Sequence, residues 1–216
     1  MNNSIDLTQS TPLCEIMGRH NSDKGHLQIT NCWHNYTPYY YNLFENIRDR
    51  PLRIFELGLG SNNVNIPSNM GSDGRPGASL YGWREFFINS QIFGADIDGD
   101  ILFNSDRINT YYCDQTNPYV IKYMWNEPEL RENFDIIIED GLHSFDANVC
   151  FFENSIHKLK PNGFYIIEDV ATSELGLWPA KIKEWENKYI ELVFRLIQLP
   201  SYHNDNDNNL LVIYFQ

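Results

Sequence analysis

Short apolar runs and amphipathic stretches take turns along the chain. Runs at 52–57, 91–95, 109–113, 134–139, 163–168, 191–196 and 210–215 have the length and β-branched or aromatic content of strands. Between them, 80–89, 118–131, 145–159 and 182–189 carry apolar residues at helical intervals, and a further helix at 39–47 precedes the first run. Ser79 reads as the N-cap of the helix at 80–89. Alternation of strand and helix predicts an α/β fold: a doubly wound, mostly parallel seven-stranded sheet. The last two strands have no helix between them, so an antiparallel edge strand is expected. Residues 1–35 read as an irregular polar arm. The sequence thus divides into an arm and helix packed on the core (1–50) and a main α/β domain (51–216). The stretch at 61–78 is rich in Gly, Asn, Ser and Pro, and a segment of that length inside a compact domain is commonly functional.

Two of the apolar runs end abruptly in charge. FDIIIEDGLH (134–143) delivers Asp140 and His143, and GFYIIEDV (163–170) delivers Glu168 and Asp169. If the strands are neighbours, their carboxylates converge at the mouth where open α/β sheets hold ligands. Three hard oxygen donors suit Mg2+ or a similar ion, and the imidazole suits proton removal. The first run ends in Glu56-x-Gly58-x-Gly60, a turn that lets backbone approach a nucleotide-type cofactor, although strand-to-helix turns of this kind are common. Asp96 ends the second run and is placed for ribose hydroxyls, with Asp98 as its competitor. Asp114 and Gln115 end the third, where they could edge an adenine.

Composition narrows the choice. The 216 residues carry a net charge of −13 and no basic patch, so neither nucleic acid nor an anionic membrane surface is an expected partner. No run approaches the ~20 apolar residues of a spanning helix, and residues 1–12 are too polar for a leader, so a cytoplasmic protein is expected. Cys14, Cys32, Cys113 and Cys150 are widely spaced and read as reduced thiols, not a zinc site.

These motifs resemble class I S-adenosylmethionine-dependent methyltransferases, and more narrowly the metal-dependent sugar O-methyltransferases of macrolide biosynthesis and bacterial surface-polysaccharide clusters. The similarity rests on Asp140-Gly141-Leu142-His143, Glu168-Asp169, the NSDKG at 21–25, the Pro-Gly-Ala-Ser-Leu at 76–80, the GADID at 94–98 and the CDQ at 113–115. It implies metal ligation by Asp140, Glu168 and Asp169, and His143 as general base. It also implies a cofactor site of Glu56, Gly58, Gly60, Asp96, Asp114 and Gln115. The cofactors implied are S-adenosylmethionine and Mg2+, and the acceptor is a sugar, nucleotide-linked or on a surface polysaccharide. The stretch at 61–78 is longer than in the macrolide enzymes, and a large N-terminal oligomerisation domain is not part of the sequence, which leaves a homo-oligomer open. Two other activities fit the same residues: methyl transfer to a non-sugar small molecule such as a catechol, and a nucleotide-dependent oxidoreductase. A non-catalytic binding module is a third alternative.

Overall fold

The structure, a computed structural model, describes residues 7, 9–25, 34–201 and 204–216. Cys32, His26 and His203 lie outside the described residues, as do parts of the polar arm. Strands β1 (Arg53–Leu57), β2 (Gln91–Asp96), β3 (Asn104–Ser105), β4 (Ile108–Tyr112), β5 (Phe134–Glu139), β6 (Leu159–Ile167), β7 (Leu192–Gln198) and β8 (Asn209–Phe215) form one sheet in the order β3-β4-β2-β1-β5-β6-β8-β7. Strands β4, β2, β1, β5 and β6 are parallel. β8 enters antiparallel between β6 and β7, as the missing crossover helix requires. Among the described residues the sheet has eight strands where the sequence predicts seven; the extra one is the two-residue β3, which pairs antiparallel with β4 and is too short to leave an apolar signature.

Helices α3 (Ala78–Phe86), α4 (Pro118–Met124), α5 (Phe145–Ser155) and α6 (Trp178–Lys188) connect the strands, and α2 (Tyr36–Phe44) precedes them. Two expectations need correction. The arm contains a helix, α1 (Pro12–Arg19), capped by the Thr11 side chain accepting from the Cys14 N–H, with Pro12 in the first turn. Ser79 is not an N-cap: Gly77, in the left-handed region at φ 73°, holds that position, and Ser79 lies inside the helix.

Side-chain alternation splits the core. Phe55, Leu57, Ile137, Tyr165 and Ile167 pack beneath α4, α5 and α6, while Ile54, Ile136, Ile138 and Ile166 face α1, α2 and α3. Tyr40 and Phe44 stack on each other and meet Trp83 edge to face on this second side, and each is wholly buried. Among the described residues no helix is long and apolar enough to cross a membrane.

Candidate active site

The strand order reverses at β1: the chain moves outward through β2 and β4, then returns to place β5 on the other flank of β1. At such a switch point the connections leave in opposite directions and open a crevice at the strand ends. A cavity of about 230 Å3 lies there, lined by Gly58, Gly60, Asp96, Asp114, Gln115, Asp140, His143 and Asp169, among others.

Alternation decides which charged groups meet. Extending the face of Ile54, Ile138 and Ile166 by two residues reaches Glu56, Asp140 and Glu168, so three carboxylates emerge on the α1–α3 side. Buried carboxylates crowded together need a counter-charge, since an unpaired buried ion costs several kcal/mol. Lys24 supplies it. Its ammonium donates to Asp140 Oδ2 and Glu168 Oε2 and stands 3.8 Å from Glu56 Oε1, with 2% of the residue exposed. Burial opposes the ammonium, but Asp140, Glu168 and Glu56 outweigh it and raise its pKa well above the usual lysine value. One cation serves three carboxyl groups. Burial opposes charge on Asp140, yet Lys24 and His143 hold its pKa well below the carboxylate range. Burial raises the Glu168 pKa well above its ordinary value and raises that of Glu56, despite Lys24.

Asp169 and His143 complete this end. His143 Nε2 lies 3.0 Å from Asp140 Oδ1 and 3.3 Å from Asp169 Oδ2. Burial disfavours the imidazolium, but Asp169 and the Asp140 hydrogen bond raise its pKa to about 10. His143 and Asp169 both sit in the left-handed region, at φ 56° and 52°, an arrangement costing about 1 kcal/mol or more for a non-glycine residue. The turns that break strand alternation are what aim these two side chains at each other. Helix α2 holds the carboxylates from behind: the Tyr36 hydroxyl donates to Asp169 Oδ1 at 2.5 Å, and Tyr40, one turn on, donates to Glu168 Oε1 at 2.5 Å.

The glycine end is built from backbone. Gly58 has φ 92°, and a Cβ there would sit 1.7 Å from the Asp140 carbonyl oxygen. Only glycine lets the β1 turn pass the β5 turn at this distance. Asp96 accepts from the Leu59 N–H at 2.7 Å and from the Asp98 N–H at 2.8 Å. Burial raises its pKa, and those N–H groups oppose the rise. Asp96 lines the cavity and Asp98 does not; Asp98 is spent on Ser61 and the Asp100 N–H. Asp114 accepts from the Thr116 N–H and hydroxyl and also lines the cavity. Gln115 uses both ends of its amide, donating to Glu139 Oε1 at 2.9 Å and accepting from the Leu142 N–H at 2.6 Å. The segment 61–77 folds over the opening: Ile66, Pro67, Ser68, Met70 and Arg75 line it, and the Ser68 hydroxyl donates to the Leu142 carbonyl.

Most sequence-predicted residues therefore gather at one crevice, with two placed behind its wall. Glu56 is fully buried, its oxygens taken by the Ser79 hydroxyl and the Trp83 indole N–H on α3. Glu168 lies beneath the lining, between Lys24 and Tyr40. Sequence reasoning gave no role to Lys24, Tyr36, Tyr40 or Glu139. The signal for Lys24 was available: three carboxylates on one strand face demand a cation, and NSDKG carries one. Glu139, pushed up to about 8 by burial against the Gln115 hydrogen bond, is legible only from the fold.

No protein-family model matches the chain. Over 161 residues, 74% of its length, it is 32% identical to the 8-demethyl-8-(2-methoxy-alpha-L-rhamnosyl)-tetracenomycin-C 3'-O-methyltransferase of Streptomyces olivaceus, covering 37% of that protein. Over 147 residues, 68% of its length, it is 31% identical to demethylmacrocin O-methyltransferase of Streptomyces fradiae, covering 33%. A methyltransferase of the mycinamycin biosynthetic pathway, solved in complex with Mg, SAH and mycinamycin VI, superposes with a TM-score of 0.68 at 24% identity, over 96% of this chain and 55% of that one. The chain spans about a third of the length of these curated relatives. It shares the fold of that methyltransferase and is related in sequence to O-methyltransferases named for a rhamnosyl tetracenomycin and for demethylmacrocin.

Proposed function

We propose that the chain is an S-adenosylmethionine-dependent, Mg2+-assisted O-methyltransferase acting on a sugar hydroxyl. The observation that carries this reading is one cavity with a glycine turn and Asp96 at one end and a carboxylate–imidazole cluster at the other. The relatives' names favour a sugar carried on a small molecule over the nucleotide-linked or surface-polysaccharide sugar expected from the sequence. They give the oxidoreductase alternative no support.

The residues fit both groups. Asp96 carboxylate oxygens, each already accepting one backbone N–H, retain acceptor capacity for ribose hydroxyls. Gly58 and Gly60 keep the turn free of side chains, while Asp114 and Gln115 border the same space. Asp140, Glu168 and Asp169 would hold the divalent ion: Asp140 and Glu168 already share a cation, and Asp140, His143 and Asp169 present donor atoms within 4.8 Å of one another. When bound, the ion supplies positive charge that acidifies a neighbouring hydroxyl and lowers the affinity of His143 for a proton. With these groups bound, the His143 imidazole would take the proton of the acceptor hydroxyl, whose oxygen would receive the methyl group with S-adenosylhomocysteine as the leaving group. Asp140 and Asp169 fix the imidazole, and the segment 61–77 excludes water from the reacting groups.

The convergence of His143 with two carboxylates favours a second reading, in which it is a metal ligand and not the base. His143→Ala separates the two: turnover falls with Mn2+ affinity kept if it is the base, and both fall if it is a ligand. The activity itself is tested with S-adenosylmethionine and a panel of deoxysugar glycosides, followed by mass spectrometry. Methylated product that vanishes with EDTA and returns with Mg2+ supports the proposal. Product formation indifferent to chelation removes the metal, and no product with any glycoside rejects the acceptor class.

A further inference from the structure

We propose that Lys24 is a tethered counter-cation that competes with the divalent ion for Asp140 and Glu168, so that occupancy of the metal site is opposed by a side chain of the N-terminal arm. The inference rests on the metal assignment above and deepens it.

Lys24 is held on both sides. The Ser22 N–H donates to Met17 O at the end of α1, and the Thr37 N–H, in the first turn of α2, donates to the Lys24 carbonyl at 3.3 Å. The side chain then runs inward, and its ammonium meets the two carboxylates that come from different strands, β5 and β6. Burial strips water from these oxygens, so a cation placed between them stabilises whatever negative charge they carry. A divalent ion held by Asp140 and Glu168 would compete with the ammonium for these two carboxyl groups and be repelled by its charge. Two consequences follow from this geometry. Without metal, the ammonium keeps the carboxylates together, so the crevice is shaped before any ion arrives. With metal, the ion must displace Lys24 from at least one carboxylate, which lowers its affinity. The tether keeps the effective concentration of the competing ammonium high, independent of salt in solution.

The test is Mn2+ binding by calorimetry and electron paramagnetic resonance on wild type, Lys24→Met and Lys24→Arg, with near-ultraviolet circular dichroism to verify the fold. Lys24→Met is expected to bind Mn2+ about tenfold or more tighter than wild type, a coupling within the usual range between interacting sites. Lys24→Arg keeps the charge and should stay near the wild-type affinity. Should Lys24→Met fail to fold, Lys24→Met/Glu56→Gln removes one buried carboxylate with the lysine. It is compared with Glu56→Gln alone and should show the same tightening. Equal or weaker Mn2+ binding in a folded lysine-free variant overturns the inference while leaving the metal assignment standing. Tightening of the same size in Lys24→Arg assigns the effect to loosened packing and also overturns it. Absence of Mn2+ binding in every variant and in wild type removes the metal assignment and this inference together.

Discussion

At the glycine end of the cavity, groups are placed mostly by turns near them in sequence: Asp96 is bonded by the Asp98 N–H, Asp114 by the Thr116 N–H and hydroxyl, and Gly58 by its own left-handed backbone. At the carboxylate end, Lys24 reaches Asp140 across 116 positions and Glu168 across 144, and Tyr36 reaches Asp169 across 133. One end depends on local turn geometry, the other on the arm docking against the sheet. The difference teaches where each end is vulnerable. Damage to a turn should stay local except at Gly58, which touches the Asp140 turn, whereas loosening the arm should release several charges at once.

The largest expected effect sharpens this contrast at the chemical step. His143→Ala should lower turnover roughly 100- to 10,000-fold, the usual weight of a general base. Binding of S-adenosylhomocysteine, measured by calorimetry, should hardly change, because the imidazole belongs to the carboxylate end. Loss of binding along with turnover would mean that the ends are not separable. Next is the seam where they touch. Gly58→Ala places a methyl group against the Asp140 carbonyl and should cost about 3 kcal/mol or more of stability, with both ends disturbed. A small change in thermal midpoint would show that the β1 and β5 turns move apart freely.

Asp96→Ala should weaken S-adenosylhomocysteine binding by about tenfold or more, the worth of hydrogen bonds to a charged acceptor. Mn2+ binding in the same variant should be unaltered; a parallel loss would again join the two ends. Of similar size is Gln115→Ala. It takes the donor from buried Glu139 and the acceptor from the Leu142 N–H, which should cost roughly 1–3 kcal/mol in chemical denaturation. A neutral result would make Gln115 a cavity-lining group alone.

The same contrast explains what the sequence disclosed. Strand ends after 134–139 and 163–168, the glycine turn and the Asp96 position were legible because each is a local pattern: an apolar run that stops in charge. The eighth strand was not, since two residues, Asn104 and Ser105, carry no period. Helix α1 was hidden by its brevity and by the polar residues around it, although Thr11-Pro12 is a readable start. Glu56 shows the limit of motif reading. Its place before the glycines suggested cofactor contact, but strand alternation turns it toward Ser79 and Trp83 on α3. Which lysine or tyrosine answers a buried carboxylate is a question of tertiary docking, and spacing within a strand carries no information about it.

The most direct test of a single site with two differently built ends is a crystal structure with S-adenosylhomocysteine and Mn2+, using manganese anomalous scattering. The account predicts the adenosyl moiety at Asp96 and one manganese peak among Asp140, Glu168 and Asp169, with the Lys24 ammonium withdrawn from at least one of them. Manganese bound away from these carboxylates, or a cavity that leaves S-adenosylhomocysteine out and takes NADH in, would contradict it.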